Sequence, residues 1–453
     1  MQRTLDSTAV GGLPVLGQVY NIAVVGGGPA GLYGAQRLAD AGCQVFLFNR
    51  DIRPGGLAEY GIYPTKTKMK AGLRKAFGKI LAHESIHYFG NMTIGEGADC
   101  SMGAFEGFGF DGVLWATGAQ GIKWARIPGV DSTGVYDSKE LVFHYNGLPR
   151  FSERAMPLGD DLMVVGAGNV AVDISHWAVS QGVKRVTWWV RRGPNQVKYT
   201  PKEMAAIGGH VSRSALEREL DRMAPVLREL GEDPQELRQR MIHQLGDKRI
   251  EGSDTQIFFR FASQIVSIES ETSGKVSGVR GRDNRLHMKG DRVTARAGEE
   301  GDIIPASSVV FCVGDAIDRD IGLALNVCGG YAVSGEGDED YYHLEGRPGW
   351  VVGGWSRVAS DGLVGRPRKD AVVAVSKLTD WLATREKPER DPGEMKAAVE
   401  GFIDRKQLPV VQCNGVSRIQ CEEARIATER DLPDFRFATE KELLFWASRT
   451  SGT

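Results

Sequence analysis

The chain has 453 residues, a formal net charge of −2, and 42% hydrophobic against 25% charged residues. That balance gives ample core for two or three domains, and it excludes both a disordered chain and a nucleic-acid binder that works through bulk positive charge. Glycine is the outlier, at 58 residues or about 13%, where roughly 7% is ordinary; with no collagen-like period and only 18 prolines, it marks tight backbone sites.

Residues 1–20 show neither the basic region and apolar block of a secretory signal nor the Arg-rich bias of a transit peptide. No stretch approaches the roughly 18 apolar residues of a membrane span, so a cytoplasmic protein without a membrane span is expected. An apolar strand is predicted over 21–25, a helix over 29–41 and a second strand over 44–48. Between the first two lies Gly26-Gly27-Gly28-Pro29-Ala30-Gly31, a G-x-G-x-x-G in its proper strand-to-helix setting. Gly26 permits the tight turn, Gly28 lets backbone approach a pyrophosphate, and Gly31 lets helix and strand pack closely. The second strand ends at Asn49, where a Glu or Asp would grip the ribose hydroxyls; an amide accepts without charge assistance.

Residues 66–79 carry Lys66, Lys68, Lys70, Arg74, Lys75 and Lys79 with no acidic residue. This basic helix is either a solvated face or a surface that steers an acidic partner. His83 and His87 stand four apart, a spacing that would put two imidazoles on one helical face. No third ligand accompanies them, and ordinary histidines rather than a metal site are expected. Another strand follows at 112–117.

The opening pattern then returns, with a strand at 162–165, a helix at 170–181 and a strand at 185–190. Its turn, Gly166-Ala167-Gly168-Asn169-Val170-Ala171, is the G-x-G-x-x-A variant. Arg191 and Arg192 follow the second strand, where an NAD site would carry a carboxylate; paired guanidiniums suit an adenosine 2′-phosphate, which favours NADP. Residues 212–251 are charged, with Leu216, Leu220, Met223, Val226, Leu227 and Leu230 at helical spacing, which predicts one or two amphipathic helices. Strands at 256–261 and 307–313 flank a polar hairpin or loop at 284–300. Residues 384–394 read as a linker into a C-terminal tail. The six cysteines (Cys43, Cys100, Cys312, Cys328, Cys413, Cys421) contain no C-x-x-C pair, so no iron–sulfur, zinc-ribbon or vicinal-disulfide chemistry is supported, and core positions are expected for them.

Beyond the two loops, the chain resembles the adrenodoxin reductase and bacterial ferredoxin–NADP reductase family. The likeness runs from Asn21 to about Lys377, with a weaker echo in the tail. It is carried by Gly28-Pro29-Ala30-Gly31-Leu32-Tyr33, Gly56-Leu57-Ala58-Glu59-Tyr60-Gly61 and Tyr145-Asn146-Gly147-Leu148-Pro149. Gly168-Asn169-Val170-Ala171-Val172-Asp173, Arg191-Arg192-Gly193-Pro194, Gln196-Val197, Lys202-Glu203, Gly354-Trp355 and Gly362-Leu363-Val364 complete it.

The resemblance implies an α/β protein of two Rossmann-like dinucleotide-binding domains, with the NADP domain (119–324) inserted into a discontinuous FAD domain (1–118 and 325–453). FAD would contact Gly26, Gly28, Ala30, Gly31, Asn49, Leu57, Met92, Trp355, Gly362, Leu363 and Val364, although Trp355 also admits a core-packing reading. NADP would contact Gly166, Ala167, Gly168, Asn169, Val170, Arg191, Arg192 and Glu203, with the backbone near Gly362. The implied activity is an NADPH-oxidising flavoprotein, an oxidoreductase that passes single electrons to an acidic ferredoxin- or flavodoxin-type carrier. The cofactors carry the hydride step, so no catalytic side chain is assigned.

Three departures stand out. Asn49 replaces the family's Glu, Pro64-Thr65-Lys66 replaces Pro-Asp-His beside the flavin, and Gly365-Arg366-Pro367-Arg368-Lys369 replaces a small, hydroxylated run. They leave open a different acceptor or a non-enzymatic flavin scaffold; a separate alternative is a flavoprotein subunit of a larger complex like the glutamate synthase small subunit, although the cysteine-rich cluster domain usual there is absent from this sequence. A flavin monooxygenase would also have two such loops, but its Phe-x-Gly-x-x-x-His signature is absent.

Overall fold

The computed structural model describes residues 18–123, 125–334, 341–357, 365–385 and 390–449. The chain divides into two compact units, one of residues 1–122, 146–150 and 315–453, the other of 123–145 and 151–314.

The first unit is built on a seven-stranded sheet. Its parallel part runs Ile86–Gly90, Gln44–Asn49, Asn21–Val25, Gly112–Trp115, Trp350–Val352, and the antiparallel pair His343–Leu344 and Val333–Ser334 extends the last edge. Asn21–Val25 is buried along its whole length, as a central parallel strand must be, and its alternate residues feed opposite cores. Ile22 and Val24 join helices Pro29–Asp40, Thr67–Leu81 and Gly365–Leu382, whereas Ala23 and Val25 join an aromatic core with Phe46, Phe48, Phe89, Phe105 and Trp115. The run Gly365–Lys369 is the first turn of the last of these helices, and the Arg368 guanidinium lies 4.4 Å from the Tyr33 ring centroid.

Residues 384–394 lead to more than a tail. Residues 386–389 lie outside those described, and Asp391 then caps helix Pro392–Lys406, whose Met395 and Val399 are buried in the aromatic core. Helices Cys413–Glu429 and Glu440–Ser448 follow, and their Val416, Ile419, Leu443 and Ala447 complete the other core.

In the second unit five parallel strands run in the order Val135–Asp137, Ser308–Phe311, Asp161–Val165, Arg185–Trp189, Gln256–Arg260. The charged segment forms helices Arg213–Glu229 and Pro234–Leu245, buried through Leu216, Leu220, Met223 and Leu227 and through Leu237, Met241 and Leu245. The polar stretch at 284–300 proves to be the far half of a long hairpin, strands Val276–Lys289 and Arg292–Pro305, joined by Ser263–Ser270 into an antiparallel sheet. Gly281 lets that sheet lie on Trp189, since a Cβ there would stand 2.3 Å from the indole.

The histidine pair is not on a helix. The helix ends at Leu81, His83 Nδ1 accepts from the Ser85 amide, and His87 lies in strand Ile86–Gly90 against Gln44. Among the described residues no cluster of three or more His, Cys, Asp or Glu is arranged to hold a metal ion. The cysteines are all free thiols, and the expectation of core positions fits only part of them: Cys43 and Cys100 are buried, Cys328 and Cys421 exposed. No helix among the described residues is long and apolar enough to cross a membrane.

Candidate functional site

In the first unit the chain leaves strand Asn21–Val25 at Gly26, whose φ of +112° few side chains tolerate, and a Cβ there would stand 2.4 Å from the Ala116 carbonyl oxygen. A Cβ on Gly31 would fall 1.8 Å from the Gly26 carbonyl oxygen, so helix and turn touch directly. Gly28 differs: a Cβ there would meet nothing within 4 Å. It is the N-cap of helix Pro29–Asp40, and no side chain caps that end. An uncapped helix start with open space before it offers free N–H groups and a positive dipole to an anion.

Neighbouring segments close around this loop. The Gly55 amide donates to the Gly27 carbonyl at 2.7 Å. Gly56 (φ +50°) packs on Gly28, with a virtual Cβ 3.1 Å from its Cα, and so sets Leu57 beside the loop. Gly354 (φ +70°) abuts Ala30, which brings the turn Gly354–Ser356 and Trp355 to the helix start. That turn is clamped from outside: the Gly354 amide donates to Asp370 at 2.6 Å, and the Gly118 amide donates to Ser356 Oγ at 2.7 Å. The Trp355 indole Nε1, however, is buried without a hydrogen-bond partner among the described residues, a donor left over at the loop's edge. Met92 is 1% exposed and sits in the aromatic core, so it reaches the loop only through its amide, which donates to the Asn49 carbonyl at 3.0 Å. Gly362, Leu363 and Val364 lie outside the described residues.

Asn49 is buried at 5% exposure and engaged at both ends of its amide. Its Oδ1 accepts from the Gly27 amide, while Nδ2 faces the carbonyls of Asp51 and Arg53 and the Tyr88 hydroxyl. Burial pushes the Tyr88 phenol well above its ordinary range, so it stays neutral.

Just beyond, an ion network ties this region to the C-terminal helices. Arg53, 3% exposed, pairs with Glu423, 1% exposed, which also accepts from Arg436 and from the Phe437 amide. Glu59 takes a bidentate pair from Arg74 at 2.7 and 2.8 Å, and Arg74 also reaches Asp434 at 2.9 Å. Burial alone would raise the Glu59 carboxyl; the Arg74 guanidinium overrules it and holds the group below its usual range. No local pattern announces these partners, because Arg53 and Glu423 are far apart in sequence.

The basic helix is thinner than its sequence suggests. Lys70 is 5% exposed and donates to Asn146 Oδ1 at 2.7 Å, and burial pulls its ammonium down to about 8. Arg74 is spent on Glu59 and Asp434. Lys68, Lys75 and Lys79 are the exposed cations that remain, with Lys66 half-buried beside them.

The second unit repeats the first loop's logic. Gly166 has φ +130°, and a Cβ would stand 2.4 Å from the Cys312 carbonyl oxygen; at Gly168 a Cβ would meet nothing within 4 Å. Helix Asn169–Ser180 again starts without a side-chain cap. The Ala167 carbonyl accepts from the Lys198 amide at 2.7 Å, and Asn169 Oδ1 accepts from the Thr200 amide at 2.8 Å; Glu203 follows in helix Pro201–Met204. Val170 is exposed.

Arg191 and Arg192 leave the end of strand Arg185–Trp189 with their backbone fixed: the Asn284 side chain donates to the Arg191 carbonyl and the Ala262 amide to the Arg192 carbonyl, both at 2.9 Å. Arg191 is exposed and Arg192 half-buried. Neither guanidinium has an ion-pair or hydrogen-bond partner among the described residues. The helical segment supports this corner, since Gln196 donates to Glu232 at 3.1 Å and Arg222 to the Phe261 carbonyl at 2.7 Å. Two cations unpaired among the described residues, on the strand next to an uncapped helix start, have the chemistry that suits a phosphorylated dinucleotide.

The family model for pyridine nucleotide-disulphide oxidoreductases matches residues 20–214. The mitochondrial NADPH:adrenodoxin oxidoreductase of Arabidopsis thaliana is 24% identical over 475 residues, covering 94% of each chain. The NADPH-ferredoxin reductase FprA of Mycobacterium tuberculosis is 26% identical over 420 residues, 85% of this chain and 88% of that protein. The solved structure of the latter protein in complex with NADPH matches with a TM-score of 0.78 at 24% identity, over 95% of this chain and all of that one.

Proposed function

This chain belongs to the adrenodoxin reductase and ferredoxin–NADP reductase family, and on that premise we propose that it oxidises NADPH through FAD and hands the electrons singly to a ferredoxin- or flavodoxin-type carrier. One observation carries the reading: two open, uncapped strand-to-helix loops stand in one chain, and the second is followed by two arginines unpaired among the described residues. The first unit takes FAD and the second NADP.

FAD, when bound, supplies a hydride acceptor that can release electrons one at a time. The chain's own residues bind and orient. Gly28, Ala30 and the start of helix Pro29–Asp40 receive the FAD pyrophosphate, with Gly26 and Gly31 shaping the turn. Trp355 offers its indole N–H at the same loop, where Leu57 and the Met92 backbone complete the surroundings among the described residues. Gly166, Ala167, Gly168, Asn169 and Val170 receive the NADP pyrophosphate, Arg191 and Arg192 the 2′-phosphate, and Glu203 lies beyond them. No nucleophile or metal is required of the chain.

The test is carrier reduction under anaerobic conditions: NADPH should reduce a ferredoxin or flavodoxin with two carriers reduced per NADPH consumed. NADPH oxidation that needs oxygen and leaves every carrier oxidised would contradict the reading.

The carrier is acidic, on the argument that Lys68, Lys75 and Lys79 leave an exposed basic face on helix Thr67–Leu81. Such steering is screened by salt. Raising ionic strength from about 0.05 to about 0.5 M should therefore slow carrier reduction at least about fivefold, and reduction of a neutral quinone by less than about twofold. Equal salt dependence for the two acceptors rejects the acidic-carrier surface.

A further inference from the structure

We propose that Asn49 is a positioning residue: its carboxamide, donating and accepting at once, builds the FAD loop, and a carboxylate could not take its place. The inference rests on the FAD reading above.

Asn49 Oδ1 accepts from the Gly27 amide at 2.9 Å. Nδ2 lies 2.6 Å from the Asp51 carbonyl oxygen, 3.0 Å from that of Arg53 and 3.0 Å from the Tyr88 hydroxyl. The two carbonyls only accept, so the orientation is forced; the flipped amide would set oxygen against oxygen. Its two N–H groups go to the two carbonyls, and the Tyr88 hydroxyl has its own hydrogen for the Ile52 carbonyl at 3.1 Å.

Three segments therefore meet at one side chain: the glycine loop, the turn at 51–55 and strand Ile86–Gly90. Gly27 sits directly on it, since a Cβ there would stand 2.7 Å from Asn49 Cγ. The same residue's carbonyl is held by the Gly55 amide. A carboxylate in this place would present negative oxygens to two carbonyls, in a site 5% exposed, with no hydrogen to give. The family's Glu grips a ribose; here the amide instead fixes the loop that receives the pyrophosphate, and one Oδ1 lone pair remains for a hydroxyl.

The experiment measures the FAD dissociation constant of deflavinated protein, by quenching of FAD fluorescence, for wild type, Asn49→Asp, Asn49→Glu and Asn49→Ala between about pH 5 and pH 8. Asn49→Asp keeps the size and removes the donor. At pH 8 it should weaken FAD at least about tenfold, and Asn49→Glu, the family's residue, should weaken it as well rather than tighten it. Burial against carbonyls raises the new carboxyl's pKa, so towards pH 5 it takes a proton, becomes an O–H donor and recovers affinity. Asn49→Ala has no donor at any pH and stays weak.

The titratable and charged groups on the segments that meet at Asn49 are Tyr88, Asp51 with Arg50 and Arg53 with Glu423, and Tyr60 and Cys413 act on the neighbouring Tyr88 phenol. All are shared with the wild type, so the variant-to-wild-type ratio isolates the substituted position. Unweakened FAD binding by Asn49→Asp or Asn49→Glu at pH 8 overturns the proposal, and so does an Asn49→Asp that stays as weak as Asn49→Ala at every pH. If Asn49→Asp does not fold at pH 8, refolding at pH 5 decides it: recovery supports the proposal and failure contradicts it. A wild type that takes up no FAD sinks the functional reading instead. The loop role is then read from thermal unfolding of the apoproteins, where Asn49→Asp should lose more stability at pH 8 than at pH 5; an equal loss contradicts it.

Discussion

Changing Arg191 and Arg192 together to alanine should weaken NADPH binding about a hundredfold while leaving NADH binding within about threefold of wild type. A hydrogen bond to a charged group contributes roughly 1.5–3 kcal/mol, and the lower figure applied twice gives that factor. The lower figure is the apt one, because Arg191 is exposed and partly screened. The pair is suited to the task because its backbone is fixed by Ala262 and Asn284 while both guanidiniums are unpaired among the described residues. Little of their attraction is spent elsewhere in the protein, so the loss should fall on the 2′-phosphate alone. The check is the ratio of dissociation constants for the two nucleotides in wild type and variant; an unchanged ratio contradicts the assignment.

The second large effect lies far from either loop in sequence. Glu423→Gln should lower the melting temperature on the order of 10 °C and loosen FAD retention. The carboxylate is 1% exposed and serves Arg53, Arg436 and the Phe437 amide together. Removing its charge takes the nearest counter-charge from the buried Arg53 guanidinium, with Glu59 only a lesser one, and a broken buried pair costs about 3–5 kcal/mol. Arg53 also accepts Asn49 Nδ2 at its carbonyl, so the damage reaches the glycine loop. Glu429→Gln is the control: that carboxylate is 57% exposed and pairs with Arg425, and its loss should cost under about 1 kcal/mol. Equal melting shifts for the two variants would refute the buttress role.

The dinucleotide units were legible because their signal is local. Strand 21–25, the glycine turn and the helix after it lie within twenty residues, and each glycine answers to one backbone demand: positive φ at Gly26, contact at Gly31, open space at Gly28. The C-terminal helices were not legible as part of this fold, since what fixes them is packing of Val416, Ile419 and Leu443 on strands hundreds of residues away. Lys70 illustrates a signal that was present and missed. It shares a helical face with Phe77 and Leu81, seven and eleven residues on, and that face is the buried one. Charge counting placed it in a docking stripe, whereas periodicity places it in the interior. The Asn49 departure was visible in the sequence, but its meaning depends on the carbonyls of Asp51 and Arg53, which only the folded turn brings to it.

Anaerobic titration of the FAD-loaded protein with NADPH is decisive for electron flow from nicotinamide to flavin. One equivalent of NADPH should bleach the flavin absorbance, and NADH should need a far higher concentration to do the same. A flavin that keeps its oxidised spectrum through excess NADPH would contradict the account.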